Sequence, residues 1–188
     1  MQKNTHMKKV FFLLGFILAG QLLMAQPKPT DLDKSPMDIS YNPANYPILK
    51  MRGQATGEPL ARVLYSRPQK KGRELFGQEV KYNEVWRLGA NEATEIELFK
   101  NAVIGGKSVS KGRYSLYCIP TETKWTIIVS KDNYSWGSFT YKSDKDVARI
   151  EVPVQKNNEI TEALTMYFEK NSLLILWDYL KVAVPVTF

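Results

Sequence analysis

From Ile48 onward, apolar and polar residues alternate in short runs separated by turn residues. Ala61 to Tyr65 is an apolar-rich run that stops at Ser66-Arg67-Pro68. Val85 to Leu88 and Ala93 to Phe99 follow, the second with Thr94, Ile96 and Leu98 set against Glu95 and Glu97. Val103-Ile104, Gly105-Gly106 and Lys107 to Val109 have the form of a hairpin. Tyr114 to Ile119 and Trp125 to Ser130 flank a Thr-Glu-Thr-Lys turn. Ser135 to Tyr141, Val147 to Val154, Leu164 to Phe168, Ser172 to Trp177 and Lys181 to Phe188 complete the series. Turns roughly every 8 to 12 residues predict a sandwich or barrel. No window sustains a helical period. Glu159 to Glu169 comes nearest, and its Thr161, Thr165, Tyr167 and Phe168 favour a strand. The expectation is an all-β antiparallel β-sandwich, jelly-roll-like. A membrane barrel fits poorly, because Pro185 interrupts the alternating C-terminal run and charged residues recur in the other strands.

Three segments follow from this pattern. Residues 1–25 carry Lys3, Lys8 and Lys9 ahead of an apolar run from Val10 to Leu23, with Ala25 as a small cleavage residue. That is the layout of a secretory signal peptide, and the run is short for a membrane span. Residues 26–46 are rich in Pro, Asp, Ser and Asn and form an expected exposed leader, partly ordered against the domain. Residues 47–188 form a single domain. The expected location is therefore exported, periplasmic or extracellular, with no stable membrane insertion after signal cleavage.

Composition narrows the chemistry. The only histidine is His6, inside the signal, and the only cysteine is Cys118. The domain therefore has no histidine for a Ser-His-Asp or Cys-His mechanism or for a His-based zinc site, and no internal disulfide. No metal or cofactor is expected. The chain has 26 Lys and Arg against 19 Asp and Glu; three of the lysines lie in the signal, leaving a net charge of +4. So mild a balance does not call for nucleic acid.

Two familiar spacings fail on context. Asn101 to Ser108 is spaced like a phosphate-binding P-loop, but it begins on Asn101 and a strand follows where a helix is required. Ser108-Val109-Ser110-Lys111 spells S-x-x-K, yet lies in a hairpin.

Two stretches remain as candidate sites. Arg62, Arg67, Lys70, Lys71 and Arg73 crowd one loop that could hold an anion, or be a solvated basic loop. In WRLGANEAT, Trp86 and Leu88 share one strand face, with Val85 and Arg87 on the other. Gly89 permits a positive φ and Asn91 tolerates one, which predicts a bulge or tight turn that brings Glu92 within reach of Arg87. The corner is either closed by an Arg87–Glu92 pair or forms a site. As a site, Arg67, Arg73 and Arg87 hold negative charge or hydroxyls, Asn91 and Glu92 set orientation, and Trp86 and Trp136 supply stacking faces. The expected ligand is a small polar molecule, a saccharide or an anion. One alternative is a structural or envelope-interaction protein with no small-molecule site. Another is a carboxylate hydrolase using Glu92 with Asp146 or Glu95.

These motifs carry a resemblance. Ser66-Arg67-Pro68, Lys71-Gly72-Arg73 with Phe76-Gly77, the run Val85 to Thr94, Gly112-Arg113-Tyr114-Ser115-Leu116, Trp125 and Trp136-Gly137 resemble the bacterial domain-of-unknown-function family 2911. The resemblance spans roughly Pro47 to Phe188 and implies an exported single-domain protein with no assigned activity. It supplies no catalytic residue. Where the family tends to Pro-Tyr-Gly, this chain has Lys81-Tyr82-Asn83.

Overall fold

The structure is a computed structural model that describes residues 31–188. The expected signal peptide and the start of the leader lie outside the described residues. Asp33–Phe188 holds every element named below.

Nine strands form one antiparallel sheet in the order β1-β2-β3-β6-β7-β8-β9-β4-β5. They are β1 (Met37–Asn42), β2 (Ala61–Ser66), β3 (Thr94–Leu98), β4 (Ala102–Ile104), β5 (Lys107–Val109), β6 (Gly112–Pro120), β7 (Lys124–Ser130), β8 (Asp146–Glu169) and β9 (Ser172–Thr187). A short helix α1 (Tyr46–Met51) follows β1. The all-β antiparallel expectation holds. The strand order is that of one open sheet, and the jelly-roll detail finds no support in it.

The strand β8 organises the fold. Its first part, Asp146–Pro153, pairs with β7, and from Val154 it pairs with β9. Two expected strands and the segment between them are thus one element, bent by register shifts between Lys156 and Thr165. Near its far end it meets the residues just after β2. Lys70 N–H donates to Glu162 O, and Leu164 N–H donates to Pro68 O. The sheet curls back on itself, so inward residues of its strands share one core. Cys118 is fully buried there, and burial pushes its thiol well above the usual range. A free cysteine so placed packs as a small apolar side chain of the core.

Other details depart from expectation. β1 lies within the segment read as exposed leader and pairs with β2 along its whole length. Ser135 to Tyr141 is a run of turns, because Tyr134 (φ 64) and Gly137 (φ 69) leave the extended region. Val85 to Leu88 makes only one bridge, Trp86 to Cys118, before Leu88 turns to φ 56. Asn83, where the family resemblance points to glycine, takes φ 62, a conformation that asparagine tolerates better than most residues.

Candidate functional site

Trp86 and Leu88 face inward, as their alternation predicts. Trp86 is 8% exposed and donates its indole N–H to Gly89 O at 3.1 Å. Its ring stacks on Trp177 at 5.9 Å and meets Trp125 edge-on at 5.8 Å, with Phe76 closing the cluster. Trp86 is therefore a core residue and presents no open face to a ligand.

The turn after it uses an unexpected residue. Leu88 and Asn91 (φ 59) take the positive φ, and Gly89 does not. Gly89 is needed for space instead, since a Cβ there would stand 2.8 Å from Ser66 Oγ. That hydroxyl donates to Ala90 O and accepts from Ala90 N–H, both at 2.6 Å, tying the corner to β2.

The outward side of the corner is covered by the loop between β7 and β8. Ala93 N–H donates to Ser135 O, Gly137 N–H donates to Asn91 O, and the Ser138 hydroxyl donates to Val85 O. The first two bonds flank an antiparallel bridge between Glu92 and Trp136. Directly opposite residues in such a bridge share a face, and at the non-hydrogen-bonded position their side chains approach most closely. Glu92 and Trp136, both candidates from the sequence, are thus neighbours.

Arg87 is half-buried. The bridge at Trp86 and Cys118 places it opposite Tyr117. Its Nε is buried without a hydrogen-bond partner, and burial lowers its pKa. Of the two alternatives for the corner, the Arg87–Glu92 ion pair is not formed. The ion pairs of the described residues use Arg62, Arg67, Lys70, Arg73, Arg113, Lys124 and Arg149. The turn from Leu88 to Asn91 and the Glu92–Trp136 bridge send Glu92 toward the loop instead.

The basic loop is largely committed to the fold. Arg67 bonds Asp38 at 3.1 Å, Leu164 O at 3.2 Å and Thr165 Oγ1 at 3.0 Å, clamping β1 to β8. Arg73 bonds Glu79 and two backbone carbonyls of its own loop. Lys70 pairs with Asp178 at 2.6 Å. Arg67 and Arg73 share no partner with Arg87, and both guanidinium groups are already occupied.

What the structure opens beside Glu92 is a groove of about 370 Å³. Its apolar lining is Met37, Leu64, Ala93 and Tyr134, and its polar lining is Glu92, Glu95, Arg113 and Ser135. The outward faces of β2, β3 and β6 form part of it, with Leu64 opposite Glu95 and Glu95 opposite Ser115. Arg113 stands 3.7 Å from Glu95, donates to the Tyr134 hydroxyl at 3.0 Å, and lies over the Tyr134 ring at 5.6 Å. Next to it, Arg62 and Glu97 pair at 2.6 Å. Of the seven site residues expected from sequence, Glu92 lines this groove and Trp136 stands beside it. Arg113, Tyr134 and Leu64 were missed, because only strand pairing brings them to Glu92. Among the described residues, no three of His, Cys, Asp and Glu are grouped to hold a metal ion.

A second cluster secures the covering loop. The Tyr141 hydroxyl donates to Asp146 Oδ2 and accepts from Arg149 Nη2, each at 2.6 Å. Burial, then the bond to Asp146, pushes Tyr141 up from 10.0 to about 12. The folded protein therefore keeps a proton that the unfolded chain loses, and stability falls as pH rises from 10.0 to about 12. Tyr141→Phe should show a shallower decline when unfolding free energy is measured across that window. An unchanged slope would exclude Tyr141 as its source.

Fold and groove together define an all-β domain with one curled sheet and a polar, aromatic-rimmed groove beside its WRLGANEAT corner. The chain belongs to the family described as Protein of unknown function (DUF2911), whose model matches residues 49–186. Helix α1 straddles the start of that match and β1 precedes it, so Met37 is outside the matched region. No curated protein and no solved structure matches the chain.

Proposed function

We propose that this protein is exported and binds a small polar ligand, a saccharide, in the groove beside Glu92. The groove's composition carries the reading. At about 370 Å³ it falls in the size range of small-molecule sites, and it sets a few polar groups against apolar and aromatic walls. Sugars present this same combination, with hydroxyls at the edge of the ring and C–H groups on its face. Arg113, Glu92, Glu95 and Ser135 offer donors and acceptors for hydroxyls, Tyr134 offers a face, and Trp136 stands beside the groove at Glu92. The proposal moves the site away from Arg67, Arg73 and the buried Trp86. Export rests on the lysines and apolar run of residues 1–25, and a periplasmic or extracellular location goes with it.

The test is a saccharide panel titrated into the protein by calorimetry or ligand-observed NMR, with two groove variants. Leu64→Trp should fill the groove and abolish binding while circular dichroism is unchanged, because Leu64 is already 38% exposed. Tyr134→Ala should weaken binding about tenfold, near 1.4 kcal/mol. Binding that survives Leu64→Trp would place the ligand elsewhere. A panel with no binder would favour a structural or envelope-interaction role.

One observation favours a second reading. Glu92 and Glu95 line the same groove, as a two-carboxylate glycoside hydrolase requires. Turnover of chromogenic glycosides, lost in both Glu92→Gln and Glu95→Gln, would support it. No turnover by the folded wild-type protein would leave the groove a binding site only.

A further inference from the structure

We infer that the groove's ligand carries a protonated amine, held by Glu92 against Trp136, so that the preferred saccharide is an amino sugar. This deepens the saccharide reading and rests on it.

The argument starts from which charges the fold has already used. Arg113 is shared between Glu95 and the Tyr134 ring. Arg62 is taken by Glu97. Among the described residues, Glu92 enters none of the ion pairs, and it is exposed in the groove lining. Among the described residues that line the groove, the charge left for a ligand is therefore one carboxylate. An anionic ligand would meet that carboxylate and find Arg113, the one cation among the described lining residues, already engaged. A neutral sugar would use Glu92 only as a hydrogen-bond acceptor. A protonated amine gains a direct ion pair.

Trp136 adds to the preference. It is 61% exposed, and the bridge geometry sets it beside Glu92 on the same face. A carboxylate next to an indole attracts an ammonium twice, through its charge and through the negative face of the ring. The groove already shows the second effect, with the Arg113 guanidinium over Tyr134. The bridge is fixed by backbone bonds from Ala93 to Ser135 and from Gly137 to Asn91, so the two side chains leave the backbone from adjacent, fixed positions. The Ser135 hydroxyl, which donates to Asp132, keeps its lone pairs to accept from a hydroxyl of the same sugar.

The experiment compares glucosamine, N-acetylglucosamine and glucose, each as monomer and short oligomer, at a pH where the amine is protonated. The full protein, Glu92→Gln and Trp136→Ala are titrated in parallel. The amine form should bind the wild type about tenfold more tightly than the acetylated form. Glu92→Gln should erase that difference and leave the weak binding of neutral sugars. Trp136→Ala should weaken the amine form more than glucose, and added salt should do the same. Equal affinity for amine and acetylated forms, or a preference that persists in Glu92→Gln, would overturn the inference while the saccharide site stands. If no sugar binds the folded wild type, the groove reading itself fails, and this inference with it. Both variants alter exposed side chains, so unchanged thermal unfolding confirms that affinity and not folding is being read.

Discussion

Trp86→Ala should lower the unfolding free energy by about 3–5 kcal/mol, the usual cost of emptying a buried aromatic site. Three aromatic partners surround this ring, Phe76, Trp125 and Trp177, and each such contact is worth about 0.5–1.5 kcal/mol beyond area burial. The substitution also leaves Gly89 O without its indole donor. Trp86→Phe should cost less, since it keeps much of the packing and loses the N–H. Denaturant unfolding checks both. A loss under about 1 kcal/mol for Trp86→Ala would mean that the ring is not part of the core, and would restore it as a ligand wall.

Gly105→Ala should be the most damaging change in the hairpin between β4 and β5, at about 2–4 kcal/mol. Gly105 sits at φ +53, and a Cβ there would fall 2.1 Å from the Cγ2 of Ile150, a buried residue of β8. Gly106 makes the internal control. Its φ is +80, but a Cβ there would meet nothing within 4 Å. Gly106→Ala should therefore cost only the backbone strain, about 1 kcal/mol. Equal losses at the two positions would show that φ dominates and packing does not. The pair also bears on the P-loop spacing of Asn101 to Ser108. Here the glycines turn a hairpin and let it lie against β8, which explains their presence without a phosphate.

Much of the fold was legible along the chain. Alternation placed Thr94, Ile96 and Leu98 inward and Glu95 and Glu97 outward, and so they stand. The Gly105-Gly106 hairpin and the strands around Trp125 follow from local turn chemistry. The opposed faces of Trp86 and Arg87 could be read for the same reason, because a period of two assigns each residue a side. Residues 37–42 escaped notice, since prolines on both sides mask a strand whose partner is distant in sequence. The break in Ser135 to Tyr141 was hidden too. It depends on positive φ at Tyr134, which no composition signal marks, and at Gly137, where the glycine is the one local sign of a turn.

The candidate site divides along the same line. Glu92 and Trp136 could be named from residue type and context, but not their adjacency, which is a backbone bridge across more than forty positions. Short sequence separation left an Arg87–Glu92 pair as one of two readings of the corner; the turn at Leu88 and Asn91 and the bridge from Glu92 to Trp136 do not form it. Arg67 looked like an anion ligand because it stands among five cations in one short segment; Asp38 and Thr165 reach it only in the folded chain. By itself the sequence determined which faces are apolar, which chemistries lack their residues, and which family signature the chain carries. Each of these is set by side-chain type and short-range spacing. Only the tertiary structure decided which charges neutralise one another and which carboxylate is left over in a groove. Ion pairing depends on strand register between distant segments, and a period of two specifies a face but not a neighbour.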